Sequence, residues 1–190
     1  MTAADASATR PGRAADLRPA TVAPSPVTCR EAGSSEELVA HFAVRHEVFV
    51  LEQAVFAGSD RDERDARSST VHVVGCCDGV VAGSVRLYEL DALAGLWQGD
   101  RLAVLAPFRV RGLGAPLVRC AVALAGARGG RAMVAHIQLP NVTFFTRLGW
   151  EPVGAPETYV GLPHQQMRIA LPSPERGASL ARALAEGTGA

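Results

Sequence analysis

The sequence contains no lysine. All 19 basic side chains are arginine, and 19 acidic residues balance them to a formal net charge of zero over 190 residues. That balance argues against a chain built mainly to hold nucleic acid or an anionic membrane, since both need an excess of positive charge. The arginine bias accompanies abundant Ala, Gly and Pro and reads as the codon usage of a GC-rich genome, not as a functional signal. Cysteines are few, and Cys29, Cys76, Cys77 and Cys120 show no metal-ligand spacing. The adjacent Cys76 and Cys77 lie on an expected strand, where their side chains point to opposite faces. No metal site is therefore expected, and a reducing, cytoplasmic compartment fits best. No apolar run is long enough to span a membrane. Residues 1–26, rich in Ala, Pro, Arg and Thr, lack the continuous apolar core of a signal peptide and are read as a disordered extension. No internal repeat is visible.

What is present is ordinary globular material, 48% hydrophobic and 20% charged, enough for one well-buried domain and too little for two. The domain is expected over residues 27–171, with 172–190 a loose tail holding at most a weak helical turn. A short strand, "PVTCREA", precedes a helix over "SSEELVAHFAVRHEVFV", where Ser34 and Glu37 stand at capping-box spacing. "VHVVGCC", the turn Asp78-Gly79 and "VVAGSVRLYEL" predict a hairpin. The segment "DALAGLWQGD" reads as a connector and "RLAVLAPF" as the next strand. A largely buried helix follows from Leu113 to Ala127, in which Pro116 is tolerated because amides of the first turn have no intrahelical partner. "RAMVAHIQ" is a strand, "NVTFFTRLG" a short helix ended by Gly149, and "HQQMRIAL" a last strand. The order predicts an α/β fold with helices packed on a mixed sheet.

Between a strand and a helix stands "FRVRGLGAPL". Helix N-terminal amides attract anions, Gly112 and Gly114 permit close backbone approach, and Arg109 and Arg111 add charge-assisted bonds. The spacing is neither the three-glycine dinucleotide fingerprint nor a P-loop. Taken alone it is equally a phosphate cradle or a structural turn. With its flanks, "RLAVLAPFRVRGLGAPLVRCAV" resembles the pyrophosphate loop of the GNAT family of acyl-CoA-dependent N-acyltransferases, [Q/R]-x-x-G-x-[G/A], at Arg109, Gly112 and Gly114. About thirty residues on, "NVTFFTRLGW" is similar to that family's N-x-x-F-[Y/F]-x-x-L-G-[F/W] helix at Asn141, Phe144, Phe145, Leu148, Gly149 and Trp150. "RHEVFVLEQAVFAGSDRDERD", "VRLYELDALAGLWQGDRLAV", "IQLPNVTFFTRLGW" and "GLPHQQMRIAL" resemble the GNAT branch associated with nitrogen starvation in cyanobacteria and actinobacteria. The likeness spans roughly residues 30 to 171.

The resemblance implies a GNAT fold, a mostly antiparallel sheet splayed at the acyl-CoA site with helices on both faces. It implies acetyl-CoA as the acyl donor, a small-molecule amine as acceptor, direct transfer, and a possible homodimer. Main-chain contacts to the pantetheine are expected at Ala103, Val104 and Leu105, with a backbone amide there polarising the thioester. The pyrophosphate is expected along Arg109, Val110, Arg111, Gly112, Leu113, Gly114 and Ala115, with Asn141, Phe144 and Phe145 alongside. The base stays open among Glu89, at a strand end near the expected opening, Glu52, and His164, because imidazole is the side-chain type whose ordinary pKa lies nearest neutral pH. Many GNAT enzymes carry at position 145 a tyrosine that protonates the departing thiolate. Phe145 cannot do so, leaving Tyr159, water, or an unprotonated thiolate. His41, His46 and His72 read as surface or packing residues, His136 as structural and Cys120 as packing. The acidic loop "SDRDERD" lacks the EF-hand glycine, and Val71 stands at its twelfth position, so it reads as a solvated loop. Two other readings remain: an acyl-CoA-binding sensor without turnover, and an acyltransferase of the acyl-homoserine-lactone-synthase type.

Overall fold

The Asp78-Gly79 turn folds as its chemistry requires. Both residues adopt positive φ, 52° and 79°, the type I′ geometry that matches the twist of a hairpin. It joins β2 (Val71–Cys77) to β3 (Val80–Asp91). The computed structural model describes residues 26–188, so all but the last residue of the extension read over 1–26 lies outside the described residues. β1 (Thr28–Glu31) pairs with β2 on its outer side, and β4 (Leu96–Val104) pairs antiparallel with β3. Residues 96–100 therefore belong to a strand and not to a connector. Gln98 and Asp100 carry polar side chains within that strand, which hides its alternation. The actual turn is brief, its Ala94 amide donating to the Asp91 carboxylate at 3.0 Å.

After β4, residues 106–111 form a 3₁₀ turn, and then α2 (Gly114–Ala127), β5 (Ala132–Gln138), α3 (Val142–Arg147), β6 (Glu151–Pro152), β7 (Glu157–Tyr159) and β8 (Leu162–Ala170) follow. The sheet has eight strands in the order β1-β2-β3-β4-β5-β8-β6, with β7 also paired to β8. Among the described residues β4–β5 is the parallel pairing and the others are antiparallel, the mixed sheet expected.

Helices cover both faces. α1 (Ser35–Arg45) continues into a π-helical turn over His46–Glu52 and lies on one face. Its start is half of the capping box: Ser34 accepts from the Glu37 amide at 3.2 Å, while the Glu37 carboxylate takes the Gly33 amide at 2.8 Å. α2 packs on the other face, where Gly75 and Gly83 form a paired flat spot. A Cβ on either would fall 2.8 or 2.6 Å from Leu113 or Leu117, so glycine is what lets the helix approach. The described part of the tail, residues 172–188, is not loose. α4 (Pro174–Ala185), capped by the Ser173 hydroxyl, docks on α2 through Gly177, where a Cβ would sit 2.5 Å from the Ala127 nitrogen. Leu184, one heptad further on, anchors the same helix in the core, so close backbone approach and apolar burial act together.

Candidate active site

β4 and β5 stay in register for three residue pairs, Leu96–Gln98 against Ala132–Val134, and then part. Beyond that point β4 runs on to Val104 and β5 to Gln138 with a wedge between them. The wedge opens into a cleft of about 980 Å³, part of it continuous with solvent. Val118 and Ala121 of α2 line it from one face of the sheet, and Phe49 and Phe56 from the α1 side. The Leu105 amide donates to the Ala82 carbonyl of β3 at 2.9 Å. Backbone groups alternate along a strand, so those of Val104 point the other way, toward the wedge. Of the expected Ala103–Leu105 contacts, Val104 thus offers its main chain, and its carbonyl already accepts from Arg109 Nε at 3.0 Å. Ala103 turns its methyl into the small apolar cluster with Val44 and Val48.

β4 also carries a bulge. Between the pairs Ser84–Ala103 and Arg86–Asp100, the single residue Val85 of β3 opposes Arg101 and Leu102. Arg101 takes up the extra length with a φ of 53°. Both Asp100 and Arg101 consequently line the cleft.

The glycine loop leads from the open end of β4 into α2. Gly112 has a φ of 74° with open space where a Cβ would be, and the helix starts with no side-chain cap. Its first amides and the positive end of its dipole therefore face outward, which suits an anion. Gly114 lies under Phe144, whose Cζ would be 3.4 Å from a Cβ. Arg109 and Arg111 flank the loop and already hold carboxylates, Glu52 at 2.6 Å and Asp78 at 2.7 Å. Val110 is exposed and Leu113 fully buried, so Leu113 can serve a ligand through its main chain alone. A linear thioester carrying a pyrophosphate fits these features: strand-like edge, glycine bend, uncapped helix. Phe145 is buried edge-to-face against Trp150. Asn141 and Phe145 both line the cleft.

The three base candidates separate. Glu52 is engaged by Arg109 at the loop. Glu89 pairs in register with Trp97, at the closed end of the β3–β4 ladder, and is exposed. The structure brings neither into the cleft lining, whereas His164 is there and almost fully buried. Its Nδ1 lies 2.8 Å from the Leu162 carbonyl, which can only accept, so Nδ1 carries a proton and, in the neutral ring, Nε2 is the nitrogen with the lone pair. Tyr159 stands edge-on to His164 and stacks on His136, with centroids 4.2 Å apart. His136 Nε2 meets Glu157 at 3.0 Å while its Nδ1 is buried without a partner. These three rings come from β5, β7 and β8, and no local pattern announced them as a set.

The acidic loop is the largest departure from expectation. It is not a solvated loop but half of a buried ion-pair cluster on the α1 face. Arg45 reaches Asp60 at 2.7 Å and Asp65 at 2.6 Å, and Arg86 reaches Asp62 at 2.7 Å, Asp65 at 2.9 Å and Asp100 at 2.7 Å. Arg101 joins at 3.2 Å from Asp60. Burial alone would raise the Asp65 carboxyl. Hydrogen bonds from Arg45 and the Asp62 amide, with the charges of Arg45 and Arg86, hold it well below the usual carboxylate range. His41 lies beside the cluster, donating Nδ1–H to the Val73 carbonyl at 3.1 Å. Burial and neighbouring His72 push its pKa down to about 3.

A splayed β4–β5 junction ending at an uncapped, glycine-led helix defines an acyl-CoA transferase architecture. Comparison with known proteins agrees: residues 36–150 match the model of the acetyltransferase (GNAT) family. The chain belongs to that family and is an acyl-CoA-dependent N-acyltransferase. It is 30% identical over 137 residues to the uncharacterized N-acetyltransferase YjcF of Bacillus subtilis, covering 72% of this chain and 94% of that one. An acyl-CoA N-acyltransferase from Pseudomonas aeruginosa superposes with a TM-score of 0.63 at 25% identity, over 77% of this chain and 99% of the other. The CoA-dependent acyl-homoserine lactone synthase BjaI superposes at 0.64, over 86% and 90% of the two chains. At 16% identity that likeness shows the fold alone. No described helix is long and apolar enough to cross a membrane.

Proposed function

We propose that the protein moves an acetyl group from acetyl-CoA to a small-molecule amine, directly and within one ternary complex. One observation carries this reading: β4, which parts from β5 after three residue pairs, leads through the turn at 106–111 straight into the uncapped, glycine-led start of α2. Val104 would pair with the pantetheine amides, and the main chain of residues 112–115 would take the pyrophosphate, with Arg109 and Arg111 exchanging their carboxylate partners for phosphate. The thioester supplies the acyl carbon and a thiolate leaving group. His164 Nε2 accepts the proton that the amine loses as the C–N bond forms and the C–S bond breaks. Phe145 has no hydroxyl to offer the thiolate, so no acid from that position is used. The finer placement in the nitrogen-starvation branch rests on the sequence elements quoted above.

Calorimetric titration of acetyl-CoA into wild type and Gly112→Trp, followed by thiol release over an amine panel, tests the reading. The indole would fill the open space at residue 112, so affinity should fall at least about tenfold with the fold retained. Equal binding by the two proteins would overturn the loop assignment. Binding without turnover would favour a sensor, and dependence on an acyl carrier protein would favour chemistry of the homoserine-lactone-synthase type. Because the chain has no lysine, transferred label cannot accumulate on its own side-chain amines.

A further inference from the structure

Resting on the acyl-transfer reading, we propose that the acceptor is an amine carried on an uncharged aromatic or apolar body, and that Val160 is a specificity-determining residue for it. The charges that line the cleft are already used. Asp100 accepts two hydrogen bonds from Arg86, at 2.8 and 2.7 Å. Arg101 is held by the Asp60 carboxylate at 3.2 Å and stacks over Phe56, 4.6 Å from its centroid. Among the described lining residues no formal charge is left for a second charge on the acceptor. The carboxylate of an amino acid, or the further ammonium of a polyamine, would be desolvated there without a counter-ion, which weakens binding. What the cleft does offer is apolar and flat: Phe49, Val55 and Phe56 after α1, and Tyr159 and Val160 at the end of β7.

The backbone supports the same conclusion independently. Among the described residues four non-glycines have positive φ: Ala54, Asp78, Arg101 and Val160. Asp78 is the hairpin turn already explained. Arg101 and Val160 line the cleft, and Ala54 stands between the lining residues Gln53 and Val55. Strain of this kind gathers at functional sites and persists because surrounding structure holds it. Val160 is the most telling case. With Gly161 it forms the two-residue link from β7 to β8, φ 49° and 75°, geometry for which Asn-Gly is the favoured pair and a β-branched residue is an outlier. Val160 is 44% exposed, so core packing does not account for a valine there. Val160 stands among the residues that line the cleft, and a ligand with an apolar body is what would use a valine there.

The test compares wild type with Val160→Asn. After acetyl-CoA binding is established, 2-phenylethylamine, spermidine and glutamate are titrated into the protein saturated with CoA, and all three are assayed for thiol release from acetyl-CoA. We expect 2-phenylethylamine to bind wild type at least about tenfold more tightly than either charged probe, the discrimination an apolar pocket gives. In Val160→Asn the melting temperature should rise, because asparagine suits the turn. Affinity for 2-phenylethylamine should fall about tenfold while that for acetyl-CoA stays unchanged. A merely structural valine would give the stability gain without the loss of amine affinity, and that result overturns the assignment of Val160. Preference for spermidine or glutamate, or no binding of 2-phenylethylamine to CoA-loaded protein, overturns the acceptor class. Failure to bind acetyl-CoA at all is a different result and falls on the acyl-transfer reading.

Discussion

Replacing Arg45 by methionine separates a buried ion-pair clamp from a decorated surface. The guanidinium is inaccessible and bonded to two carboxylates that are 2% and 4% exposed. Methionine keeps much of the volume but leaves Asp60 and Asp65 short of a counter-charge. Breaking one side of a buried pair costs about 3–5 kcal/mol. Here Asp60 retains Arg101, and Asp65 retains Arg86 and the Asp62 amide, so the loss should lie near the lower end, about 3 kcal/mol. Urea unfolding followed by tryptophan fluorescence reads this directly, through Trp97 and Trp150 in the core. Two further variants close the cycle, Asp65→Asn alone and combined with Arg45→Met: the combination removes the stranded charge and should cost less than the two single losses together, a coupling absent between independent sites. Arg45→Met within about 1 kcal/mol of wild type, the value of an exposed pair, would refute the reasoning. The effect should also reach the cleft, because Asp60 positions Arg101 at the bulge of β4. The variant is therefore expected to bind acceptor amines less tightly at unchanged acetyl-CoA affinity.

His164→Gln should lower kcat by about 10²–10⁴ with acetyl-CoA affinity preserved, measured by thiol release and calorimetry; an unchanged kcat would remove His164 as the base. His41 is buried neutral with its pKa pushed down from 6.5 to about 3, so the unfolded chain takes up its proton first on acidification. Its contribution is whole above pH about 6.5 and is lost as pH falls toward 3, about 2 kcal/mol by pH 5. Urea midpoints at pH 7 and 5 should show that fall, and His41→Asn should flatten it; an equal fall in the variant would assign the acid sensitivity elsewhere. Gly177→Ala should cost about 1–3 kcal/mol by overpacking the α2–α4 contact, and an unchanged melting temperature would mean that α4 does not dock as described.

What the sequence made legible was local chemistry. The Asp78-Gly79 turn, the Gly112–Gly114 loop and the short helix before Gly149 each depend on residues within a few positions, so each could be read directly. Position in three dimensions was harder. Asp60, Asp62 and Asp65 looked solvated beside Arg61 and Arg64, because their real partners, Arg45, Arg86 and Arg101, lie 15 to 41 residues away along the chain. Leu96–Asp100 looked like a connector because Gln98 and Asp100 break its apolar pattern, and the partner that holds Asp100, Arg86, is on the neighbouring strand. α4 buries Gly177 and Leu184, seven positions apart in an Ala-, Gly- and Pro-rich segment whose composition resembles a loose tail. Glu89 stood at a strand end, as expected, but at the wrong end of the ladder for the cleft. His136 has no motif to mark it, and only the fold shows it stacked on Tyr159 in the cleft lining.

The short β4–β5 junction has a consequence for the cooperativity of the whole sheet. Seven residue pairs join β2 to β3, β3 to β4 and β5 to β8, but three join the two halves across the middle. A ligand whose amides take up the unpaired edge of β4 acts as a stitch between those halves. Its binding free energy then appears as resistance to opening there, growing by mass action to about 2.7 kcal/mol at a ligand concentration one hundred times Kd. In amide hydrogen exchange, the slowing on ligand addition should be concentrated at Leu102–Val104, while the β2–β3 hairpin changes little.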